Sequence, residues 1–286
     1  MLTPRDIGVL VALDTYYLLN RPQIQSLLFV DDKNGRITRR RLQALVDAHL
    51  ICRQSLLYCQ NGSGAPASVY HLSRKGAEFL AEHFENPEFN LSPTSPPPHH
   101  LILHWLAISD THILLNQALA LRGDIRKESW INEYDVVNKD EAVPEKRFQL
   151  YTLIRETPRL ICAPDAGFEL SMEGYRKAFY LEQDRATSGV QQIANSKTPG
   201  YAAMAEHCLH RRHFPQTNLD GFTVLMVTPS PKRRDNLRKA IAAKPCANLW
   251  LFSSTTELTP ESFLNGPVWY PCDGMPRSLI RRKEAS

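Results

Sequence analysis

Residues 36–50, RITRRRLQALVDAHL, carry the pattern of an amphipathic helix whose first turns are basic. Leu42, Leu45 and Val46 recur at the spacing that places side chains on one face of a helix. The cationic side chains cluster at the start of the pattern, at Arg36, Arg39, Arg40 and Arg41. The stretch therefore predicts a helix from about Thr38 to His49, with an apolar inner face and a positively charged start.

The flanking segments predict two helices before this one and a pair of strands after it. Thr3 and Asn20 each precede a helical pattern with a proline in its first turn. After the third helix we predict a strand, a turn, a second strand and a closing helix, over residues 51–58, 61–68 (NGSGAPAS), 69–72 and 73–83. This order is typical of a winged helix-turn-helix, which we predict for residues 1–85.

Double-stranded DNA is the partner that this module and its charges favour. In helix-turn-helix proteins the recognition helix enters the major groove, where basic side chains contact phosphates or guanine edges. The predicted DNA contacts are Arg36, Thr38, Arg39, Arg40 and Arg41, with Arg74 and Lys75 as secondary contacts to the DNA backbone. The alternative interpretation is a solvated basic helix end, or a winged helix that contacts protein.

A proline-rich segment over residues 86–99 separates this region from a second predicted domain, residues 100–274. Its five prolines disfavour a regular helix and indicate an extended linker. Residues 275–286 form a basic tail in this prediction.

The second domain shows the pattern of a mixed sheet covered by helices. A long helix and a strand near Trp130 come first, followed by a hairpin that turns at Glu173 and Gly174. A further helix, in which Pro199 and Gly200 are expected to cause a break or kink, leads to a final strand–helix–strand unit. The predicted fold class is therefore α+β, with an N-terminal winged helix-turn-helix and a mixed α/β domain.

Three acidic residues form the candidate catalytic group of the second domain. Strand alternation places Glu182 and Asp184 on one face, and Asp165 begins the preceding strand of the hairpin. Converging carboxylates repel each other unless a cation offsets them, and Mg²⁺ prefers oxygen ligands of this kind. Asp165 and Glu182 are therefore candidate Mg²⁺ ligands. In the alternative interpretation, Glu182 forms a structural ion pair with Arg185 or Lys177, and the other carboxylates cap turns.

Composition and charge exclude several classes of protein. Among the 286 residues, 43% are hydrophobic and 22% are charged, which is ordinary for a folded globular protein. The net charge of +4 permits a polyanionic partner but is too small to indicate one. A cytoplasmic protein without disulfides is expected, because no stretch resembles a secretory signal or membrane span and the six cysteines are scattered. The sequence also lacks the glycine-rich phosphate loop of nucleotide-driven motors and the nucleophile motif of serine hydrolases.

The hairpin residues resemble a nuclease motif. Pro164-Asp165, followed by the hairpin and Glu182-Gln183-Asp184, is similar to the core of PD-(D/E)xK nucleases, whose order is helix, three strands, helix and strand. That motif ends in a lysine that activates the attacking water, whereas this chain has Asp184. The resemblance therefore implies a restriction-endonuclease-like domain that is degenerate. Lys197, one helix further on, is the candidate replacement for the motif lysine.

The chain also resembles the replication-relaxation family. The similar segments follow one another in order: LTPRDIGVL (2–10), RRRLQALVDAHLI (39–51), SVYHLSRKGAEFL (68–80), LHWLAISD (103–110), WINE (130–133), PDAGFEL (164–170) and FYLEQDRAT (179–187). The resemblance implies a cytoplasmic bacterial protein of plasmid replication, mobilisation and DNA relaxation, with DNA and a relaxase or replication initiator as partners.

Three functional hypotheses are therefore considered. The first is a sequence-directed DNA-binding accessory factor with a degenerate nuclease domain. The second is a metal-dependent endonuclease or nickase that uses Asp165, Glu182 and Asp184. The third is a winged-helix transcriptional repressor whose C-terminal domain senses a ligand or mediates dimerisation. A second copy of the chain, in a homodimer, is a further candidate partner. His207, His210 and His213 have the spacing of a zinc-binding helix face, but a solvated basic helix end explains them more simply.

Overall fold

The computed structural model describes residues 2–56, 68–138 and 140–280. The chain divides into two units, residues 1–112 and 113–286. Each unit combines helices with a sheet, which confirms the predicted α+β class. Most of the predicted turn over residues 61–68, and the end of the predicted basic tail, lie outside the described residues.

Helices and a small sheet alternate in the first unit in the predicted order. Thr3 and Asn20 cap the first two helices, because their side chains accept hydrogen bonds from the backbone N–H groups of Asp6 and Gln23. The elements are α1 (Pro4–Tyr16), β1 (Leu18–Asn20), α2 (Arg21–Leu28), α3 (Arg36–Asp47), β2 (Ile51–Ser55), β3 (Ser68–Leu72), α4 (Arg74–His83) and a 3₁₀ helix (Pro87–Leu91). The strands form an antiparallel sheet of order β1-β3-β2, in which β1 is an element that the sequence analysis misses.

Two buried aspartates hold α3 in place. Asp32, in the turn before the helix, accepts hydrogen bonds of 2.7 Å from both the backbone N–H and the hydroxyl of Thr38. Asp6 of α1 is fully buried and forms a salt bridge with Arg41, whose Nε lies 2.9 Å from Asp6 Oδ1. The start of α3 is thus fixed by one carboxylate, and its second turn is fastened to α1 by the other.

Residues 86–101 pack as part of the first unit. The hydroxyl of Ser92 donates to the carboxylate of Asp14 and Tyr17 donates to the carbonyl of Ser95, with an O–O distance of 2.9 Å in the second contact. An extended proline-rich chain leaves its carbonyl groups available, so side chains of the unit can bind them. The boundary between the two units lies at residues 112 and 113, whereas the sequence analysis places a separate linker at residues 86–99.

A six-stranded mixed sheet forms the centre of the second unit. A helix that begins in the first unit, α5 (Ile102–Ala120), leads into it. The strands are β4 (Arg126–Asn132), β5 (Thr152–Arg155), β6 (Leu160–Cys162), β7 (Ala166–Met172), β8 (Tyr175–Gln183), β9 (Thr223–Thr228), β10 (Trp250–Ser254) and β11 (Tyr270–Pro271). The sheet order is β11-β10-β9-β8-β7-β4, and β5 pairs with β6 in a separate two-stranded sheet. The pairs β8–β9 and β9–β10 are parallel, and the other pairs are antiparallel.

The predicted hairpin and the predicted strand–helix–strand unit are both present. β7 and β8 pair with Ala166 opposite Leu181, and the turn between them contains Glu173 and Gly174 with positive φ values of 51° and 82°. The helices of this unit are α6 (Pro144–Arg147), α7 (Val190–Glu206), α8 (His210–His213), α9 (Pro231–Ala242), a 3₁₀ helix (Ala247–Leu249) and α10 (Pro260–Asn265). From α5 onward, the order helix, three strands, helix and strand is given by α5, β4, β7, β8, α7 and β9. The elements α6, β5 and β6 are inserted between β4 and β7, and α8 lies between α7 and β9.

The core lies between the sheet and helices α7 and α9. The fully buried Tyr180, Tyr201, Trp250 and Phe252 belong to one cluster there with Leu237. The expected break at Pro199 is wrong, because α7 continues through that residue. Gly200 explains the close packing of α7, since a Cβ at this position would lie only 2.4 Å from the carbonyl oxygen of Ile161.

Replacing Arg41 with methionine is expected to lower the free energy of unfolding of the first unit by roughly 3 kcal/mol, because Asp6 would remain charged and buried without its cation. Arg40→Met, at an exposed neighbouring position, should change it by about 0.5 kcal/mol or less. Urea denaturation followed by circular dichroism measures both variants. Equal small losses would contradict the anchoring role of the Asp6–Arg41 salt bridge.

Candidate functional site

The exposed side of α3 presents a concentrated positive charge. Arg36, Arg39 and Arg40 are all exposed and lie within the first two turns of the helix. Across the described residues, no hydrogen bond or ion pair engages their guanidinium groups. We call the surface formed by these three arginines the basic surface. Its charges add to the positive end of the helix dipole, so the N-terminal end of α3 favours an anionic partner.

Two of the predicted DNA contacts on α3 are instead structural. Thr38 is fully buried, and both its hydroxyl and its backbone N–H donate hydrogen bonds to the carboxylate of Asp32. Arg41 points towards α1 and is occupied by Asp6. Burial works to raise the pKa of Asp6, but hydrogen bonds from Arg41 and Thr3 outweigh it and hold this pKa below its usual value. Asp6 is therefore ionised at neutral pH and retains Arg41.

Arg74 and Lys75 are exposed at the start of α4, as predicted, but both have partners within the protein. Arg74 Nε lies 3.0 Å from the carboxylate of Glu78, one helical turn away. Lys75 Nζ lies 3.1 Å from the carbonyl oxygen of Ala48. A contact with DNA would have to compete with these bonds, so the two residues are weaker candidates than the arginines of the basic surface.

Two further arginines border the basic surface and are absent from the sequence analysis. Arg53 is exposed on β2, and its Nη1 donates to Gln43 of α3 at 3.3 Å. Arg21 begins α2, and a Cβ at Gly35 would lie 2.8 Å from its Nη1, which places this guanidinium beside the start of α3. Strand alternation does not identify Arg53, because Ile51 and Arg53 are two residues apart and share one face of β2, although Ile51 is buried and Arg53 is exposed.

In the second unit, a lysine joins two of the predicted catalytic carboxylates. Lys197 of α7 places its Nζ 2.6 Å from Glu182 Oε2 on β8 and 3.5 Å from Asp165 Oδ1, directly before β7. The remaining oxygens also accept hydrogen bonds: the Tyr201 hydroxyl lies 2.6 Å from Glu182 Oε1, and the Gln183 N–H lies 2.7 Å from Asp165 Oδ2. We call Asp165, Glu182 and Lys197 the acid–lysine cluster.

Asp184 binds a different basic residue from the acid–lysine cluster. Its carboxylate receives two hydrogen bonds from Arg233 of α9, at 2.7 and 3.1 Å. Asp184 follows the last residue of β8, so the alternation that aligns it with Glu182 in the sequence has already ended. The predicted group of three acidic residues is thus divided between two basic partners, Lys197 and Arg233.

Burial controls the protonation of the acid–lysine cluster. Glu182 is almost completely buried, and this burial, reinforced by repulsion from Asp165, raises its pKa to about 7 against the opposing attraction of Lys197. Burial opposes the charge of Lys197 as well, but Asp165 and Glu182 outweigh that effect and raise the lysine pKa above its ordinary value. At neutral pH Lys197 is therefore an ammonium group, and Glu182 is close to its pKa, so that it is partly protonated.

The oxygen atoms of the cluster are of the type that Mg²⁺ prefers, and in this structure they are engaged by protein donors. Both Glu182 oxygens accept hydrogen bonds from protein donors, and the ammonium group of Lys197 supplies the positive charge between the carboxylates. A carboxylate oxygen of Glu133 also lies within 4.8 Å of one from Asp165. Glu182 could become a metal ligand only if Lys197 withdrew from it.

His207, His210 and His213 do not form a zinc-binding helix face. His207 is exposed, whereas His210 and His213 are buried. The two ring nitrogens of His213 lie 2.7 Å from the Tyr180 hydroxyl and 3.0 Å from the Thr152 hydroxyl. Burial lowers the pKa of His213 to about 4, so this side chain is a neutral member of the core.

Comparison with known proteins gives one result. The family model described as replication-relaxation matches residues 10–217 of the chain. No curated protein and no solved structure matches the chain. Among the described residues, no helix has the length and apolar character needed to cross a membrane.

The pH dependence of stability provides a test of the acid–lysine cluster. Because the folded pKa of Glu182 lies near 7, above the ordinary value of 4.5, its stabilising contribution is complete below about pH 4.5 and is lost as the pH rises through 7. Between pH 5 and pH 8 the wild type should lose roughly 2–3 kcal/mol of unfolding free energy relative to Glu182→Gln. Glu206→Gln, at an exposed position of α7, is the matched control, and parallel pH profiles for the wild type and Glu182→Gln would contradict the assignment.

Proposed function

The chain belongs to the replication-relaxation family, and from this membership we propose that it is a sequence-directed double-stranded DNA-binding protein. In this proposal it acts as an accessory factor in the replication, relaxation or mobilisation of plasmids or other mobile elements. The first unit is a winged helix-turn-helix that binds the DNA, and α3 is its recognition helix. The second unit is a degenerate nuclease-like domain that contacts DNA or a protein partner.

The basic surface is the observation that carries the proposal. Its arginines face outward from the end of α3 that enters the major groove in helix-turn-helix modules. Phosphates and guanine edges are the anionic and acceptor groups that arginine binds with its parallel donors. Since Arg41 and Thr38 are committed to Asp6 and Asp32, we assign DNA contacts to Arg36, Arg39 and Arg40, with Arg21 and Arg53 on the neighbouring phosphates.

The closed ion pairs of the acid–lysine cluster are consistent with a role other than catalysis for the second unit. Lys197 neutralises Asp165 and Glu182 internally, so the closed cluster has little electrostatic need for a divalent cation. A stable mixed sheet with the order of a nuclease core then serves as a platform for contacts. The partner we propose for it is a relaxase or a replication initiator.

A metal-dependent endonuclease or nickase is the second candidate function, and one observation favours it. Lys197 lies beside Asp165 and Glu182, so an aspartate, a glutamate and a lysine meet in space although the sequence has Asp184 at the motif position. In that candidate, Lys197 would orient water beside the carboxylates once the ion pair with Glu182 had opened. This is the arrangement that an assay of DNA cleavage distinguishes from the accessory role.

Neutralising two arginines of the basic surface should weaken DNA binding. For Arg39→Gln/Arg40→Gln we expect the affinity for fluorescein-labelled duplex DNA to fall by about 10-fold or more, and the slope of log K against log salt to decrease by about 2. Fluorescence anisotropy over a salt series measures both quantities.

The control for this experiment is Lys232→Gln/Lys239→Gln on α9, which removes the same charge from exposed positions of the second unit. It should retain the wild-type salt slope. Equal losses in both double variants would mean that net charge alone attracts DNA and that α3 is not the recognition helix. A footprint with two-fold symmetry over a promoter would favour the repressor alternative instead.

Incubation with supercoiled plasmid separates the two candidate functions. We expect the wild-type protein to retard the plasmid without nicking it, in Mg²⁺, in Mn²⁺ and in EDTA, because Lys197 occupies the carboxylates. Metal-dependent nicking that disappears in Asp165→Asn, while duplex binding persists, would instead establish the nuclease function. Lys197→Met is the second variant to compare. If the wild type nicks the plasmid and Lys197→Met does not, the lysine is required for cleavage.

A further inference from the structure

An exposed isoleucine borders the basic surface. Ile37, the second residue of α3, is 44% exposed, whereas the adjacent Thr38 and the inward-facing Leu42 are fully buried. A single exposed apolar side chain needs no explanation by itself. The position of Ile37 does need an explanation, because its sequence neighbours Arg36, Arg39 and Arg40 are all exposed on the same two turns of α3.

Helix stability does not account for an isoleucine here. β-Branched residues lose side-chain freedom in a helix and are weaker helix formers than alanine, leucine or lysine. Ile37 also forms no part of the fully buried core that Leu42 and Leu45 contribute from the other face of α3. An arginine-rich surface with an apolar side chain at its edge is therefore a feature of the exterior, and its explanation lies in what the surface contacts.

The chemistry of the major groove matches this combination. Phosphates line the groove and suit the arginines, whereas the base edges present hydrogen-bonding groups at every position. The C5-methyl group of thymine is the apolar group that the four bases present there, and aliphatic side chains recognise it by contact. A branched side chain in the first turn of a recognition helix is thus suited to thymine.

The local structure also holds Ile37 in a defined place. Asp32 accepts both hydrogen bonds of the next residue, Thr38, at 2.7 Å, and so fixes the first turn of α3. Gly35 precedes the helix in the left-handed conformation, with a φ of 65°. Because the backbone on either side is constrained, the side chain does not need a large rearrangement to reach a base.

We propose that Ile37 contacts the C5-methyl group of a thymine in the major groove, so that the first unit selects sites with a thymine at one defined position. This inference rests on the proposed function, since it requires that α3 bind duplex DNA. It names the base that the surface reads, which the family membership leaves open.

Uracil substitution tests the inference because uracil differs from thymine in DNA only by the absence of this methyl group. A duplex is first selected from a random pool with the full-length wild-type protein, and each thymine of the selected site is then replaced by uracil in turn. At one position we expect the affinity of the wild type to fall about 4-fold, the value for one buried methyl group. Ile37→Ala should bind the thymine and uracil duplexes with equal affinity.

Leu91→Ala is the matched control, because Leu91 is 68% exposed in the first unit but lies in the 3₁₀ helix outside α3. It should retain the full preference for thymine. Equal binding of thymine and uracil duplexes by the wild type at every position would overturn the inference and leave the DNA-binding proposal intact. Failure to select any duplex would overturn both, and the exposed Ile37 beside the basic surface would then indicate a protein partner.

Discussion

Asp6 is fully buried in α1, and the salt bridge with Arg41 is what allows a charged carboxylate to remain there. Together with the buried Thr38, Leu42 and Leu45, this interaction fixes the rotation of α3 about its own axis. Once Arg41 faces α1, the helical repeat turns Arg36, Arg39 and Arg40 outward and turns Leu42 and Leu45 into the core. The composition of the basic surface therefore depends on a buried ion pair and a buried apolar face, and not only on the number of arginines in the segment.

The second unit also pairs buried carboxylates with basic side chains, but there the pairs lie at the candidate catalytic residues. There the buried carboxylates of Asp165 and Glu182 share one ammonium group, and Asp184 is satisfied separately by Arg233. Charges of this kind are costly to bury singly and tolerable in pairs. The residues that most resemble a catalytic group thus also satisfy the internal requirements of the sheet and of helices α7 and α9. This dual character is why DNA cleavage, and not residue identity, separates the two candidate functions.

Local patterns in the sequence predict most of the elements, and tertiary contacts decide the roles of individual side chains. The periodicity of residues 36–50, the hairpin turn at Glu173 and Gly174 and the final strand–helix–strand unit are all local, and each is confirmed. Thr38 and Arg41 are indistinguishable in sequence from groove-facing residues, because their partners Asp32 and Asp6 become neighbours only in the fold. Lys197 reaches Glu182 for the same reason: the packing of α7 on the sheet brings them together across 15 residues of chain. Pro199 shows the converse, since a residue that discourages helices locally is accommodated within a long packed helix.

The three outward arginines also have a consequence for the stability of the first unit. Like charges three and four residues apart repel along a helix, and cations at its start oppose the helix dipole. α3 is therefore less stable in isolation than a helix of the same length with acidic residues in its first turn, and it relies on Asp6 and Asp32 to remain folded. Selection for stability alone would replace these arginines with neutral or acidic residues. The positive charge of the basic surface thus lowers the intrinsic stability of α3, and the contacts with Asp6 and Asp32 offset this loss.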